Sequence, residues 1–262
     1  MLIERGKMIN LYCGDCLEMI PKLDEPSDLI LTSPPYNMTK RKGGFSDKKY
    51  RYDVYRDDKT YKEYLEWTIK VFKSFDKILK KNGLILYNFS YSVENPVFPY
   101  LVISEIYNNT NFTLADTIIW KKQSSMPYPA SPNRAQRIFE FVFVIVRKTE
   151  IKTFKTNKTV SKISPNGQKY YNPIFNFVEA KNNDGKSELN EATFSTELVI
   201  KLLKMYAKKD KNFKVLDPFS GTGTTMNACE LYGCSGVGIE LSLQQVKFSE
   251  ERINNKANLF FD

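Results

Sequence analysis

Asp217-Pro218-Phe219-Ser220-Gly221-Thr222-Gly223-Thr224, entered from the short apolar run Val215-Leu216, is the stretch that decides the fold of this chain. The run ends on an acid, Gly221 and Gly223 let a ligand approach the backbone, and Thr224 opens a helical pattern. Glu240 ends the next apolar run, 23 residues beyond Asp217, where an acid can accept hydrogen bonds from ribose hydroxyls. Strand, glycine turn, helix, strand and acid make a nucleoside-binding unit, and the turn lacks the Gly-Lys-Thr or Gly-Lys-Ser ending of a P-loop.

Outward from this unit, short apolar runs fall at 9–13, 28–31, 84–89, 112–120, 139–146, 215–216 and 236–239. Helical periodicity covers 16–23, 60–79, 95–107, 195–207, 224–232 and 242–254. The alternation predicts a mostly parallel α/β sheet covered on both faces. The run at 139–146 is aromatic and β-branched with no long helix before it, which predicts one antiparallel strand. Two stretches break the pattern. Residues 37–59 interleave basic residues with Phe45, Tyr50, Tyr52 and Tyr55 around Gly43-Gly44, and are expected to form a mobile basic loop over the site. Residues 149–190 are rich in Lys, Asn, Ser and Thr, with turn signals at Pro165-Asn166-Gly167 and Asn183-Asp184-Gly185; they are expected to be an irregular insert with room for short strands.

Near the start lies a second motif, Thr32-Ser33-Pro34-Pro35-Tyr36. It follows Leu29-Ile30-Leu31, so it is expected at the carboxyl end of a strand, where open α/β sheets hold their ligands. Two prolines stiffen the turn, and Pro34 offers a carbonyl without a competing N–H. A plain proline-rich turn, and a Tyr36 that is simply core, are the bland readings of the same residues.

Together the two motifs resemble those of the amino-methylating DNA methyltransferases. Because the glycine motif follows the Ser-Pro-Pro-Tyr motif, the resemblance is to the circularly permuted β class, and it covers nearly the whole chain. It implies a Rossmann-like S-adenosylmethionine-dependent methyltransferase fold, α/β, with a single catalytic domain over 1–262 and a target-recognition insert at 149–190. It also implies S-adenosylmethionine as cofactor. Asp217, Phe219, Ser220, Gly221, Gly223 and Thr224 would lie against its methionine portion, with Thr32 beside them, and Glu240 would hold the ribose. Gly14-Asp15-Cys16 resembles the segment whose acid approaches the adenine, and stands at the N-terminus because the permutation cuts the chain before that strand. Asn190-Glu191-Ala192-Thr193-Phe194 resembles a segment that commonly carries His and Pro. Here neither the His nor the usual second Pro is present, so Phe194 carries over as a cofactor contact while Asn190 and Ser195 receive no role.

The chemistry suits such residues. An exocyclic amine on cytosine or adenine is a poor nucleophile, its lone pair being delocalised into the ring. Acceptors on its two N–H groups, the Ser33 hydroxyl and the Pro34 carbonyl, can draw the nitrogen toward tetrahedral geometry and aim its lone pair at a sulfonium methyl. The methylated nitrogen is cationic and loses its proton without a strong base. Tyr36 would supply a π-face for a base extruded from the duplex. Ser33, Pro34, Pro35 and Tyr36 are thus the candidate catalytic residues. In the resembled family, Ser at the first motif position commonly accompanies N4 of cytosine and Asp, often Asn, accompanies N6 of adenine, so cytosine is expected and adenine is the alternative.

Composition agrees with a polyanionic partner: 39 Lys and Arg oppose 30 Asp and Glu among 262 residues, a formal charge of +9. Double-stranded DNA is the expected partner. Lys40, Arg41, Lys42, Lys48, Lys49 and Arg51 in the basic loop, with Lys121, Lys122, Arg134 and Arg137, are candidate phosphate contacts. Most lysines taken singly are better read as solvated surface. The absence of histidine removes Ser-His-Asp and Cys-His nucleophiles and the common His-containing zinc sites. Cys13 and Cys16, with Cys229 and Cys234, allow a four-thiolate zinc site only on paper; ordinary reduced cysteines are expected, and no metal. No apolar run reaches 18 residues, so the expectation is a cytoplasmic protein without membrane attachment, monomer or homodimer, with a cognate restriction endonuclease as possible companion. An RNA methyltransferase and a catalytically silent nucleic-acid binder remain as rival readings.

Overall fold

Strand β1 (Ile9–Cys13), near the start of the chain, pairs with β10 (Ser235–Glu240), near its end, so that Cys13 faces Glu240. The structure is a computed structural model that describes residues 8–37, 54, 58–90, 95–125, 132, 135–184 and 194–257. Between those strands the chain runs through β2 (Ser27–Thr32), β3 (Leu79–Phe89), β4 (Phe112–Lys122), β5 (Phe139–Arg147), β6 (Val160–Ile163), β7 (Lys169–Tyr171), β8 (Phe177–Ala180) and β9 (Lys214–Asp217). Helices α1 (Cys16–Met19), α2 (Tyr61–Ile78), α3 (Phe98–Asn109), α4 (Thr196–Tyr206), α5 (Thr224–Tyr232) and α6 (Leu243–Ala257) join them.

The main sheet has the order β1-β10-β9-β2-β3-β5-β4-β8. All its pairs are parallel except those that β5 makes with β3 and β4. The antiparallel strand expected at 139–146 is therefore β5. From the β9/β2 boundary the chain progresses outward in both directions, β9 to β10 on one side and β2 to β3 on the other, which makes that boundary the topological switch point.

Burial on both faces explains the near-continuous apolar strands. Leu29 and Leu31 point into the cluster shared with α4, α5 and α6, while Ile30 joins the opposite cluster with Phe72 and Phe75 of α2 and Val102 of α3. Helix α2 begins at a capping box in which Thr60 and Glu63 satisfy each other's backbone N–H groups. It ends against Arg147, whose guanidinium donates to the carbonyls of Asp76, Leu79 and Lys80.

Two boundaries depart from the sequence expectation. Strand β3 begins at Leu79 rather than 84, because Ser27 pairs with Leu79 before a register shift, and the exposed Lys81 and Asn82 hide this first segment from hydropathy. The 149–190 stretch is only partly separate. Strands β6 and β7 form an exposed two-stranded ribbon turned at Gly167 (φ +83°), whereas β8 enters the main sheet parallel to β4 with Val178 and Ala180 buried. Four residues of alternating pattern in a Lys- and Asn-rich context were too short to read as a sheet strand.

Candidate functional site

The pairing of β2 with β9, Leu29 to Val215 and Ile30 to Leu216, brings both sequence motifs to one end of the sheet. There Thr32 Oγ1 donates to Asp217 Oδ1 at 2.6 Å. Asp217 is buried and also accepts from Thr225 Oγ1 at 2.5 Å and from the Phe219 N–H at 3.1 Å. Burial pushes its carboxyl up to about 6, against the pull of these three hydrogen bonds.

Gly221 (φ +53°) and Gly223 (φ +78°) turn the chain from β9 into α5. A Cβ on Gly223 would lie 1.8 Å from Ser249 Oγ, so α6 seals the back of the turn. Glu240 fixes the front: its Oε2 accepts from the Gly221 N–H at 2.8 Å and its Oε1 from the Ser242 N–H at 2.9 Å. Each carboxylate oxygen has a second lone pair, so the acid keeps acceptor capacity for a diol. Ser220 contributes backbone to the turn, while its hydroxyl lies over Gly238, 2.7 Å from where a Cβ would sit.

The remaining cofactor candidates occupy three surroundings. Asp15 caps α1, accepting from the Leu17 N–H at 2.8 Å, at the end of the strand beside Glu240. Cys16 is buried behind it, and burial together with the Asp15 charge pushes its thiol up to about 12, so it stays protonated. Phe219 packs on Trp67 with ring centroids 5.4 Å apart. Phe194 is buried against the apolar cluster at the start of α4. Thr224 is buried and accepts from Arg252 Nη1 at 3.1 Å. The four cysteines are free thiols, and among the described residues no three potential metal ligands come together.

On the β2 side, Tyr64 donates its hydroxyl to the Pro35 carbonyl at 2.7 Å and holds the proline turn against α2. Ser33 is half-buried, with its Oγ 2.8 Å from the Tyr36 hydroxyl. Tyr36 is 9% exposed, its ring 5.0 Å from that of Phe89, and its hydroxyl donates toward Asn88 Oδ1 at 2.9 Å and Glu140 Oε2 at 3.2 Å. The geometry thus gives the Tyr36 hydroxyl the larger part, and most of its ring is occupied by protein. Neither Asn88 nor Glu140 belongs to a motif of the sequence. The only signal was an Asn in the apolar run at 84–89 and an acid in the run at 139–146, each a costly residue to bury without purpose.

Among the basic candidates, Lys122 is bound to Glu140 Oε1 at 2.5 Å and Lys121 to Glu179 at 3.2 Å, while Arg137 is exposed. Lys40, Arg41, Lys42, Lys48, Lys49, Arg51 and Arg134 lie outside the described residues, as does most of the expected 37–59 loop. Its two ends are tied together: Asn37 Nδ2 donates to the Lys59 carbonyl at 2.7 Å. No described helix is long and apolar enough to cross a membrane.

A permuted open sheet whose switch point joins a glycine-turn nucleoside site to a Ser-Pro-Pro-Tyr turn defines a nucleotide-cofactor enzyme of the Rossmann-like kind. The chain belongs to the DNA methylase family N6_N4_Mtase, which matches residues 27–251. S-adenosylmethionine is the methyl donor of that family. The type II methyltransferase M.BamHI of Bacillus amyloliquefaciens is 28% identical over 263 residues, covering 94% of this chain, which spans 57% of that enzyme's length. The DNA adenine methyltransferase YhdJ of Escherichia coli is 25% identical over 264 residues, covering 92% of this chain and 81% of its own. Among solved structures, the cytosine-N4-specific PvuII DNA methyltransferase superposes with a TM-score of 0.67 at 20% identity, covering 93% of this chain and 86% of its own, a likeness of fold.

Proposed function

We propose that the chain transfers a methyl group from S-adenosylmethionine to the exocyclic amine of a base flipped out of duplex DNA, with N4 of cytosine as the target. The observation that carries the reading is the 2.6 Å bond between Thr32 and Asp217, which couples the Ser-Pro-Pro-Tyr turn to the glycine turn. The donor set fits the cofactor: Glu240 retains acceptor capacity for the ribose hydroxyls, and Asp217 can balance a cationic group. When bound, the cofactor supplies an electrophilic methyl on its sulfonium. The protein's part is to hold the amine. The Ser33 hydroxyl and the Pro34 carbonyl accept its two N–H groups and aim its lone pair. The exposed ribbon β6–β7 carries Lys162, 4.9 Å from the Tyr170 ring, and Lys169, and a two-stranded ribbon is an element that the major groove admits, which supports it as the reader of the sequence. As the relatives named type II methyltransferases suggest, a restriction endonuclease of matching specificity is the expected companion.

Adenine N6 is the second reading, favoured by the alignment with a relative described as an adenine methyltransferase. Ser33, in place of Asp or Asn, supports cytosine. The deciding experiment is mass spectrometry of nucleosides from unmethylated DNA incubated with the purified protein and S-adenosylmethionine. N4-methylcytosine is expected. N6-methyladenine would keep the mechanism and reverse the base, and methylated RNA alone or cofactor binding without transfer would overturn the reading.

A further inference from the structure

The Ser33 hydroxyl is chemically ambiguous, able to donate or accept, yet amine methylation needs it to accept. Its neighbours remove the ambiguity. Asn88 Nδ2 donates to the Phe141 carbonyl at 2.9 Å, which fixes the amide so that Oδ1, an acceptor, faces Tyr36. Glu140 presents a second acceptor, Oε2, at 3.2 Å from the same hydroxyl. The Tyr36 hydrogen is drawn to these two oxygens, so the Tyr36 oxygen accepts from Ser33 at 2.8 Å. With its own hydrogen committed inward, Ser33 turns lone pairs outward, toward the substrate side.

We propose that Asn88 and Glu140 set the direction of this chain and that Glu140 receives the proton which the methylated amine gives up; the proposal rests on the amine-methylation reading above. Transfer would balance as three coupled steps. The aminium N–H bond breaks as a Ser33 O–H forms, the former Ser33 hydrogen passes to Tyr36, and the former Tyr36 hydrogen passes to Glu140 Oε2. The product is a neutral methylamine and a neutral carboxyl. The Lys122 side chain, 2.5 Å from Glu140 Oε1, is 25% exposed, so this end of the chain borders solvent, and water there takes the proton from the Glu140 carboxyl. No strong base is needed, because an aryl aminium is a strong acid. The same polarity admits an amine and disfavours a base carbonyl at Ser33, since a carbonyl would meet lone pairs.

Glu140 is therefore a positioning and relay residue for Ser33. The test is Glu140→Gln, which keeps size and an acceptor oxygen for Tyr36 but cannot take the proton, with Glu140→Asp as the conservative variant. Steady-state methylation of duplex DNA and calorimetric S-adenosylmethionine affinity would be measured on the full chain. Glu140→Gln is expected to lower kcat by about 10- to 100-fold, with KM for DNA and cofactor Kd within about twofold, and Glu140→Asp to recover most of the loss. Unchanged kcat in Glu140→Gln, or an equal loss of cofactor affinity, would overturn the relay. Should Glu140→Gln fail to fold, Tyr36→Phe cuts the chain while leaving the Glu140–Lys122 pair intact, and wild-type kcat there would overturn it equally. Wild-type protein that methylates no base in DNA removes the amine-methylation reading itself, and the relay with it, an outcome visible in the control without any variant.

Discussion

Thr32 and Asp217, 185 residues apart in the chain, share a 2.6 Å hydrogen bond at the switch point of the sheet. The threonine opens the turn that would hold the amine and the acid opens the turn that would hold the methyl donor, so one bond sets the spacing of two half-sites. Removing a donor from a buried carboxylate costs about 1–3 kcal/mol. Thr32→Val is expected to lower stability by that amount and to weaken S-adenosylmethionine binding near neutral pH by about tenfold, while Thr32→Ser retains both. Urea denaturation and calorimetry check the pair of effects; wild-type cofactor affinity in Thr32→Val would refute the coupling.

The raised titration of Asp217 has a defined sign. Its folded value, about 6, stands above the ordinary carboxylate value of ~3.9, so between the two the folded state holds a proton that the unfolded chain has lost. The group's contribution to stability is complete below about pH 4 and falls as the pH rises to 6, leaving a cost of about 3 kcal/mol at neutral pH. Asp217→Asn should therefore gain stability relative to wild type, by about 2–3 kcal/mol, as the pH moves from 4 to 7.5. Cofactor binding should run the other way, tightening in the wild type from pH 5 to 7 because a cation favours ionised Asp217, and staying flat in Asp217→Asn. A stability difference that does not change with pH would show that Asp217 is not titrating in this window.

How much of this was legible follows from what each residue does locally. Asp217 to Gly223 and Ser33 to Tyr36 carry their meaning in consecutive residues, because a turn at a strand's end is a local object. The β5 assignment also came from a local pattern. Asn88 and Glu140 acquire theirs only when β3 and β5 pair antiparallel, Asn88 opposite Val142, and that register is not written in either run. The sequence recommends Tyr36 for its ring, but the fold puts its hydroxyl at the centre of a polar network that no spacing announces. Strand β8 escaped because four residues bear too little pattern to stand out from the insert around them.

The two half-sites should fail differently. On the reading proposed above, Ser33→Ala removes one acceptor from the amine and is expected to lower kcat by about 10²–10³-fold with little change in cofactor Kd. Glu240→Ala strips the Gly221 and Ser242 N–H groups of their acceptor and is expected to weaken S-adenosylmethionine binding by at least tenfold. Parallel losses of both quantities in both variants would contradict the division of labour.

Gly223 is demanded twice, by a positive φ and by the nearness of Ser249. Gly223→Ala is expected to destabilise the protein by about 2–3 kcal/mol and to abolish measurable cofactor binding. Adding Ser249→Gly removes the clash but not the backbone strain, so the double variant should recover only part of the stability. Full recovery in thermal denaturation would mean that the contact alone, not the left-handed backbone, requires glycine.

Arg147 supplies a test of stability that leaves the chemistry alone. Its Nε meets Asp76 Oδ1 at 2.6 Å, and its Nη atoms reach the carbonyls of Asp76, Leu79 and Lys80 at 2.7–3.0 Å, so one planar fork caps α2 and anchors the end of β5. A lysine keeps the charge but cannot serve those directions together. Arg147→Lys is expected to cost about 2 kcal/mol and Arg147→Leu about 3–5 kcal/mol, since the latter leaves three carbonyls without this donor and takes the charged partner from Asp76, which keeps only the neutral donor Asn111 Nδ2. Seven residues of extended strand, about 24 Å, separate Arg147 from Glu140. Folded Arg147→Lys should therefore keep wild-type kcat while its denaturation midpoint falls. A loss of kcat in step with stability would mean that β5 transmits strain along its length to the Ser33–Tyr36–Glu140 chain, and that the site is less insulated from the helix cap than its hydrogen bonds imply.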